Sequence, residues 1–224
     1  MTKPVIAIDG PAASGKGTLA RHLAKELNFA HMDTGALYRA AAFELIDTGL
    51  SLRDEGDAID AAQIMAKRVK NAQSPSEILG NTHLREDRVG LQASKIAAYP
   101  RVRKILNKLQ CDFMENPGNG FSGTVLDGRD IGTVICPEAQ LKLFVTASVE
   151  VRAQRRLKEL QSKGLAVTYG AVLKDMRERD TRDADRKASP MKPADDAVII
   201  DSSDLDADQM LEKALFLAKE RLKI

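Results

Sequence analysis

Cysteine is scarce in this chain, and the little there is stands alone. The 224 residues hold only Cys111 and Cys136, without a Cys-x-x-Cys spacing or a nearby pair of histidines, so neither a structural zinc site nor a redox pair is supported. Reduced structural thiols are expected. An excess of one charge is also missing: 34 Lys and Arg against 32 Asp and Glu leave a formal charge of +2. That is too little for the broad basic footprint of a duplex-binding protein, and any polyanion site must be local. No long hydrophobic run occurs. The apolar stretch inside Met1-Thr2-Lys3-Pro4-Val5-Ile6-Ala7-Ile8-Asp9 is far shorter than a signal-peptide core or a membrane span, and a soluble, cytoplasmic protein is expected. Internal repeats and low-complexity segments are lacking as well.

What is present reads as one globular domain. Hydrophobic residues make up 43% and charged residues 29%, an ordinary balance, and the length suits a single α/β core with insertions. Residues 5–8 form a short apolar run that breaks at Asp9-Gly10 and predicts a buried strand. Leu19, Leu23 and Leu27 recur at helical spacing, so a helix is expected from about Lys16 to about Asn28. A second helix is predicted over 36–46, ending at Thr48-Gly49, and another from Pro100 to about Met114. Residues 50–100 are weakly patterned and carry the breaker cluster Ser74-Pro75-Ser76, as an insertion on the core would. Apolar runs at 124–126, 141–145 and 197–200 are candidate strands, with helical stretches near 149–163, 170–183 and 207–223. Such alternation predicts a three-layer α/β/α fold, a parallel central sheet with helices on both faces.

The segment Gly10-Pro11-Ala12-Ala13-Ser14-Gly15-Lys16-Gly17-Thr18 joins the first strand to the first helix and has the glycines and lysine of a phosphate-binding P-loop. Glycines let successive N–H groups turn inward, and the helix N-terminus adds positive potential where phosphate oxygens lie. Lys16 can then reach the β- and γ-phosphates. The strict pattern has Ser or Thr directly after the lysine, whereas here Gly17 intervenes before Thr18. This Gly-Lys-Gly-Thr form resembles the nucleoside monophosphate kinases.

Three further segments carry candidate chemistry. Asp33-Thr34-Gly35-Ala36-Leu37-Tyr38-Arg39 opens a helix; capping explains Asp33 and Thr34 but not Arg39. Asp127-Gly128-Arg129-Asp130 follows a candidate strand, so its side chains emerge where open α/β sheets bind ligands, although Asp-Gly is also a common turn. Arg177, Arg179, Arg182 and Arg186 are interleaved with Asp175, Asp180, Asp183 and Asp185. That run reads either as a salt-bridged solvated helix face or as a guanidinium clamp for phosphate.

Taken in order with Ser94 and Tyr99-Pro100-Arg101-Val102-Arg103, these segments resemble the bacterial cytidylate kinases over nearly the whole length. The resemblance implies an ATP-dependent phosphotransferase acting on CMP and dCMP, a monomer whose partners are small nucleotides rather than nucleic acid or membrane. It also implies a monophosphate-binding insertion at about 57–100 and a lid at about 152–168. Under it, 10–18 cradle ATP, Lys16, Arg129 and Arg152 serve the transfer, and Thr18 lies near Mg²⁺. Ser94, Arg103 and Asp130 contact the cytosine, Arg179 and Asp183 the ribose, and Thr34, Arg39, Arg129 and Arg186 the acceptor phosphate. Arg155 and Arg156 fall with Arg152 in the lid. The departure lies between about 69 and 90, where the family carries a small β-hairpin and this chain is short and poor in strand formers.

A monophosphate is already an anionic nucleophile at neutral pH, so the transfer needs positioning and charge neutralisation rather than a general base. The sequence agrees, since none of His22, His31 and His83 falls in a recognised site motif. Two rivals remain: a kinase for UMP, AMP or another small acceptor, and a nucleotide-binding regulatory module without catalysis. Relative turnover of the monophosphates, and ATP consumption with and without CMP, separate them.

Overall fold

The central strand β1 (Val5–Asp9) is buried along its whole length, which is why it reads as a continuous apolar run instead of an alternating one. In the computed structural model, which describes residues 3–72 and 74–223, β1 is flanked by β3 (Thr124–Gly128) and β4 (Leu141–Thr146), both parallel to it. Ile6 lies opposite Val125 on one side and Leu141 on the other. β5 (Val198–Asp201) extends the sheet in parallel beyond β4, and β2 (Ala30–Asp33) lies outside β3, giving the order β2-β3-β1-β4-β5. Strand order thus reverses around β1, and the loops leaving β1, β3 and β4 emerge together at the carboxyl edge, where such sheets place their ligands.

The helices follow the expected pattern closely. α1 (Lys16–Leu27) ends on Asn28 in the left-handed conformation, and α9 (Ala207–Leu222) starts with a capping box between Asp206 and Gln209. Leu19 and Leu23 of α1 and Met210 and Ala214 of α9 pack with Ile6, Ile8, Val125, Leu143 and Ile200 into the main core. Each large aliphatic side chain buried there contributes roughly 1.5–3 kcal/mol. α7 (Val149–Ser162) and α8 (Tyr169–Asp185) form a smaller core of Ala153, Leu160, Val172 and Met176, on which Ala12 and Ala13 of the glycine loop rest.

The chain divides into two compact units, one of Met1–Met32 with Met114–Ile224 and the other of Asp33–Phe113. The second unit is helical: α2 (Thr34–Asp47), α3 (Glu55–Asn71), α4 (Pro75–Leu79), α5 (Asp87–Ile96) and α6 (Pro100–Glu115), with a 3-10 turn at Thr82–Arg85. α3 and α5 pack on α2 through small buried side chains such as Ala40, Ala41, Ala58, Ala61 and Ala62. Alanine makes a shallow apolar face, and for that reason the region looked weakly patterned in sequence. No strand occurs among the described residues between 34 and 113, so α4 and the 3-10 turn occupy the segment poor in strand formers. No helix among the described residues is long and apolar enough to cross a membrane.

Besides the helices within 50–100, β2 and the turn after Asp130 carry no readable pattern in the sequence. β2 is a four-residue edge strand interrupted by His31, too short and too polar to show a period. The π-turn Ile131–Ile135 follows Asp130; its apolar Ile131, Val134 and Ile135 give no strand or helix signal over five residues.

Candidate active site

The loop after β1 is shaped by backbone that only glycine tolerates. Gly10 has φ +146°, and a Cβ there would collide with the carbonyl of Val145 on β4. Gly15 stands in the left-handed conformation at the N-cap of α1, and no side chain caps that helix, which leaves its N-terminus available to an anion. Lys16 folds back over the loop and donates from Nζ to the Pro11 carbonyl at 3.3 Å. From beneath, the fully buried Ser202 donates from Oγ to the Ser14 carbonyl at 2.8 Å, and Arg155 donates to both the hydroxyl and the carbonyl of Ser202.

Arg152 of α7 reaches the same loop. Its guanidinium donates to the Ala12 carbonyl at 3.4 Å and the Ala147 carbonyl at 2.9 Å, and pairs with Asp180 of α8 at 2.6 Å. Buried, planar and bidentate, it is fixed as a lysine could not be. Arg156, one turn further along α7, pairs with Glu159 at 2.7 Å.

The Arg/Asp run of α8 splits by helical face. Arg177 pairs with exposed Glu150 at 3.0 Å, the solvated arrangement. Asp183, by contrast, is buried, with Arg129 Nε at 3.1 Å and Arg179 Nε at 4.0 Å. Burial alone would raise its pKa, but Arg129, then Arg179 and Arg186, outweigh that and hold the carboxyl below its ordinary value. Arg186 in turn lies 3.9 Å from Asp130 and donates to the Ser189 carbonyl at 2.7 Å. Arg129, Asp130, Arg179, Asp183 and Arg186 therefore form one charge cluster, built from the end of β3 and the inward face of α8.

The unit Asp33–Phe113 holds the other candidates. Asp33 caps α2 by accepting from the Ala36 N–H at 3.2 Å, and Thr34 is buried behind it. Arg103 of α6 is buried, stacked over the Tyr38 ring at 5.6 Å and bonded to the Ala97 carbonyl at 3.4 Å. The Ser94 hydroxyl is buried without a hydrogen-bond partner in the structure, a state that a polar ligand would relieve. Arg39 donates to the Leu84 carbonyl at 2.9 Å and lies flat against Gly90 of α5, where an added Cβ would stand 2.8 Å from its Nη1.

That contact makes a prediction. In Gly90→Ala the methyl group displaces the Arg39 guanidinium, while helix propensity improves by about 1 kcal/mol. With the acceptor role that the resemblance implies for Arg39, the KM for a monophosphate should rise about 10-fold, with ATP KM and the melting temperature unchanged or improved. Steady-state kinetics beside a thermal melt check this; an unchanged acceptor KM would show that Arg39 holds no acceptor.

Two residues outside the candidate set also touch it. His31 Nε2 lies 2.8 Å from Asp127 Oδ1 at the end of β3, bringing a histidine to the Asp-Gly-Arg-Asp segment that no motif had indicated. Asp9 is buried and accepts from the Ile131 and Gly132 N–H groups. Only the strand order reveals either one.

A divalent cation fits the loop's chemistry within limits. Thr18 supplies a hydroxyl, and Asp127 Oδ2 lies 3.5 Å from where a Cβ on Gly17 would be; such sparse oxygen donors suit Mg²⁺ brought in largely by nucleotide phosphates. Arg21 donates to Thr18 Oγ1 at 3.2 Å and, being exposed, can give way.

Comparison with known proteins places the chain in a family. Residues 6–220 match the family model described as cytidylate kinase. A cytidylate kinase of Paramagnetospirillum magneticum is 56% identical over 211 residues, covering 94% of this chain and 95% of its own. One of Rhodospirillum rubrum is 53% identical over 211 residues, with the same shares covered. A crystal structure of an uncharacterized protein from Eubacterium ventriosum superposes with a TM-score of 0.52 at 14% identity, covering 98% of this chain and 99% of the other, a likeness of fold alone. With a family model spanning nearly its whole length and relatives of this identity, the chain belongs to the cytidylate kinase family.

Proposed function

We propose that the protein transfers the γ-phosphate of ATP to CMP and dCMP, giving ADP and CDP or dCDP, and so serves pyrimidine nucleotide metabolism as a cytoplasmic monomer. The observation that carries this reading is the pairing of Asp9 with Gly128 across β1 and β3. It makes the Lys16 loop and the Arg129–Asp130 pair leave neighbouring strands at one level of the same sheet edge. A phosphate loop beside a guanidinium cluster is what transfer between two polyanions requires.

In this reading 10–18 wrap the donor phosphates with backbone N–H groups, and Lys16 neutralises charge on the transferring group. Arg129 and Arg152 add guanidiniums whose positions are fixed by Asp183 and Asp180. Asp183 and Arg179 hold the ribose, and Arg186 and Arg129 the acceptor phosphate. Asp130 accepts from the cytosine amine. In the helical unit, Ser94 and Arg103 serve the base, Thr34 and Arg39 the phosphate. Thr18 would hold Mg²⁺ brought in with the nucleotide, and the ion would there supply charge neutralisation for the donor phosphates. The acceptor phosphate is itself the nucleophile, so no side chain need take a proton from it. Residues 152–168, with Arg155 and Arg156, act as the lid whose closure excludes water and suppresses ATP hydrolysis.

A coupled assay with CMP, dCMP, UMP and AMP tests the whole reading. CMP should show the highest kcat/KM, with dCMP next and UMP at least about 10-fold lower, as one misplaced polar contact implies. Leading turnover of UMP or AMP would overturn it, and so would nucleotide binding without any transfer.

A further inference from the structure

The π-turn that follows Asp130 has no local cap: Asp130 stands at its N-cap position, yet its side chain makes no capping hydrogen bond. The N–H groups at the start of that turn are satisfied from far away. Asp9 Oδ1 accepts from Ile131 N–H and Asp9 Oδ2 from Gly132 N–H, each at 2.8 Å, across 122 and 123 residues of sequence. We propose that Asp9 is the positioning residue for Arg129 and Asp130, a remote cap that fixes the turn through which both side chains are aimed at the acceptor. This rests on the acceptor-site reading above.

The geometry requires a carboxylate. Two convergent donors need two acceptors, and asparagine would turn an NH₂ toward one of the N–H groups. By taking over the cap, Asp9 relieves Asp130 of that role and leaves its carboxylate to be directed by Arg186, 3.9 Å away. Space is arranged for the same contact: a Cβ on Gly132 would crowd the Lys142 stem at 3.1 Å and lie 3.5 Å from Asp9 Oδ2. The charged groups around Asp9 are Asp130 and Arg129 on the turn, while Lys142 of β4 sends its ammonium away to Asp196 at 2.8 Å. Burial, reinforced by the Asp130 charge and countered by the two N–H groups and Arg129, pushes the Asp9 carboxyl up to about 6. Acidification toward that value should therefore remove one acceptor and loosen the turn.

Activity alone cannot report this, because a phosphate monoester's second ionisation also falls at about 6. Amide NMR on the ligand-free protein can. Between about pH 7.5 and about pH 5 the Ile131 and Gly132 amides should titrate together with a midpoint near 6, and the movement should vanish in Asp9→Asn. The same variant should raise the CMP KM about 10-fold and the ATP KM less than about 2-fold, as losing a hydrogen bond at the acceptor side alone implies. Amides that do not titrate in the wild-type protein would overturn the proposal, even if Asp9→Asn fails to fold. So would equal effects of Asp9→Asn on the two substrates. Titrating amides in a protein whose CMP kinetics ignore Asp130→Ala would support the cap and overturn instead the acceptor reading it serves.

Discussion

Lys16→Ala is expected to fold normally and to lose about 10²-fold or more in kcat, the scale for removing one preorganised charge from a developing phosphoryl transition state. The lysine is partly exposed on the loop, and its ammonium is held by the Pro11 carbonyl. The loop keeps its shape by other means: the conformation of Gly10 against Val145, the Ser202 bond beneath Ser14, and Ala12 and Ala13 on the α7–α8 core. Truncation therefore removes charge without removing a structural support. A coupled assay and a thermal melt on the same preparation decide it. A folded variant with near-normal kcat would end the assignment of this loop to phosphoryl transfer.

Asp130→Ala should relax the choice of base. A carboxylate accepts from the exocyclic amine of cytosine but meets a carbonyl oxygen in uracil, so it attracts one pyrimidine and repels the other. We expect kcat/KM for CMP to fall much more than for UMP, narrowing their ratio by roughly 10- to 100-fold, equivalent to about 1.4–2.8 kcal/mol. A purely structural role would act otherwise: loss of an N-cap lowers stability and harms both substrates alike. The structure argues against that role, because the Asp130 side chain makes no capping bond and Asp9 supplies the acceptors. Measuring both kcat/KM values beside a melt separates the outcomes, and an unchanged CMP/UMP ratio would remove Asp130 from the base-reading set.

The sequence by itself determined whatever is local or strongly periodic. Strand β1, the glycine loop and α1 were legible because a buried strand, a φ-positive turn and an amphipathic helix each write their pattern into consecutive residues. The same holds for the α/β class. Tertiary structure decided which side chains meet. Arg177 and Arg179 are indistinguishable in the Arg/Asp run, yet one pairs with exposed Glu150 and the other faces buried Asp183, because only the face of α8 that carries Arg179 and Asp183 turns toward Arg129. His31 and Asp127 are joined across 96 residues, and Asp9 and Ile131 across 122, by strand order and register. Such contacts leave no trace in local composition, since the free energy that fixes them comes from packing the whole sheet. The sequence thus names the chemistry, and the fold selects the residues that aim it.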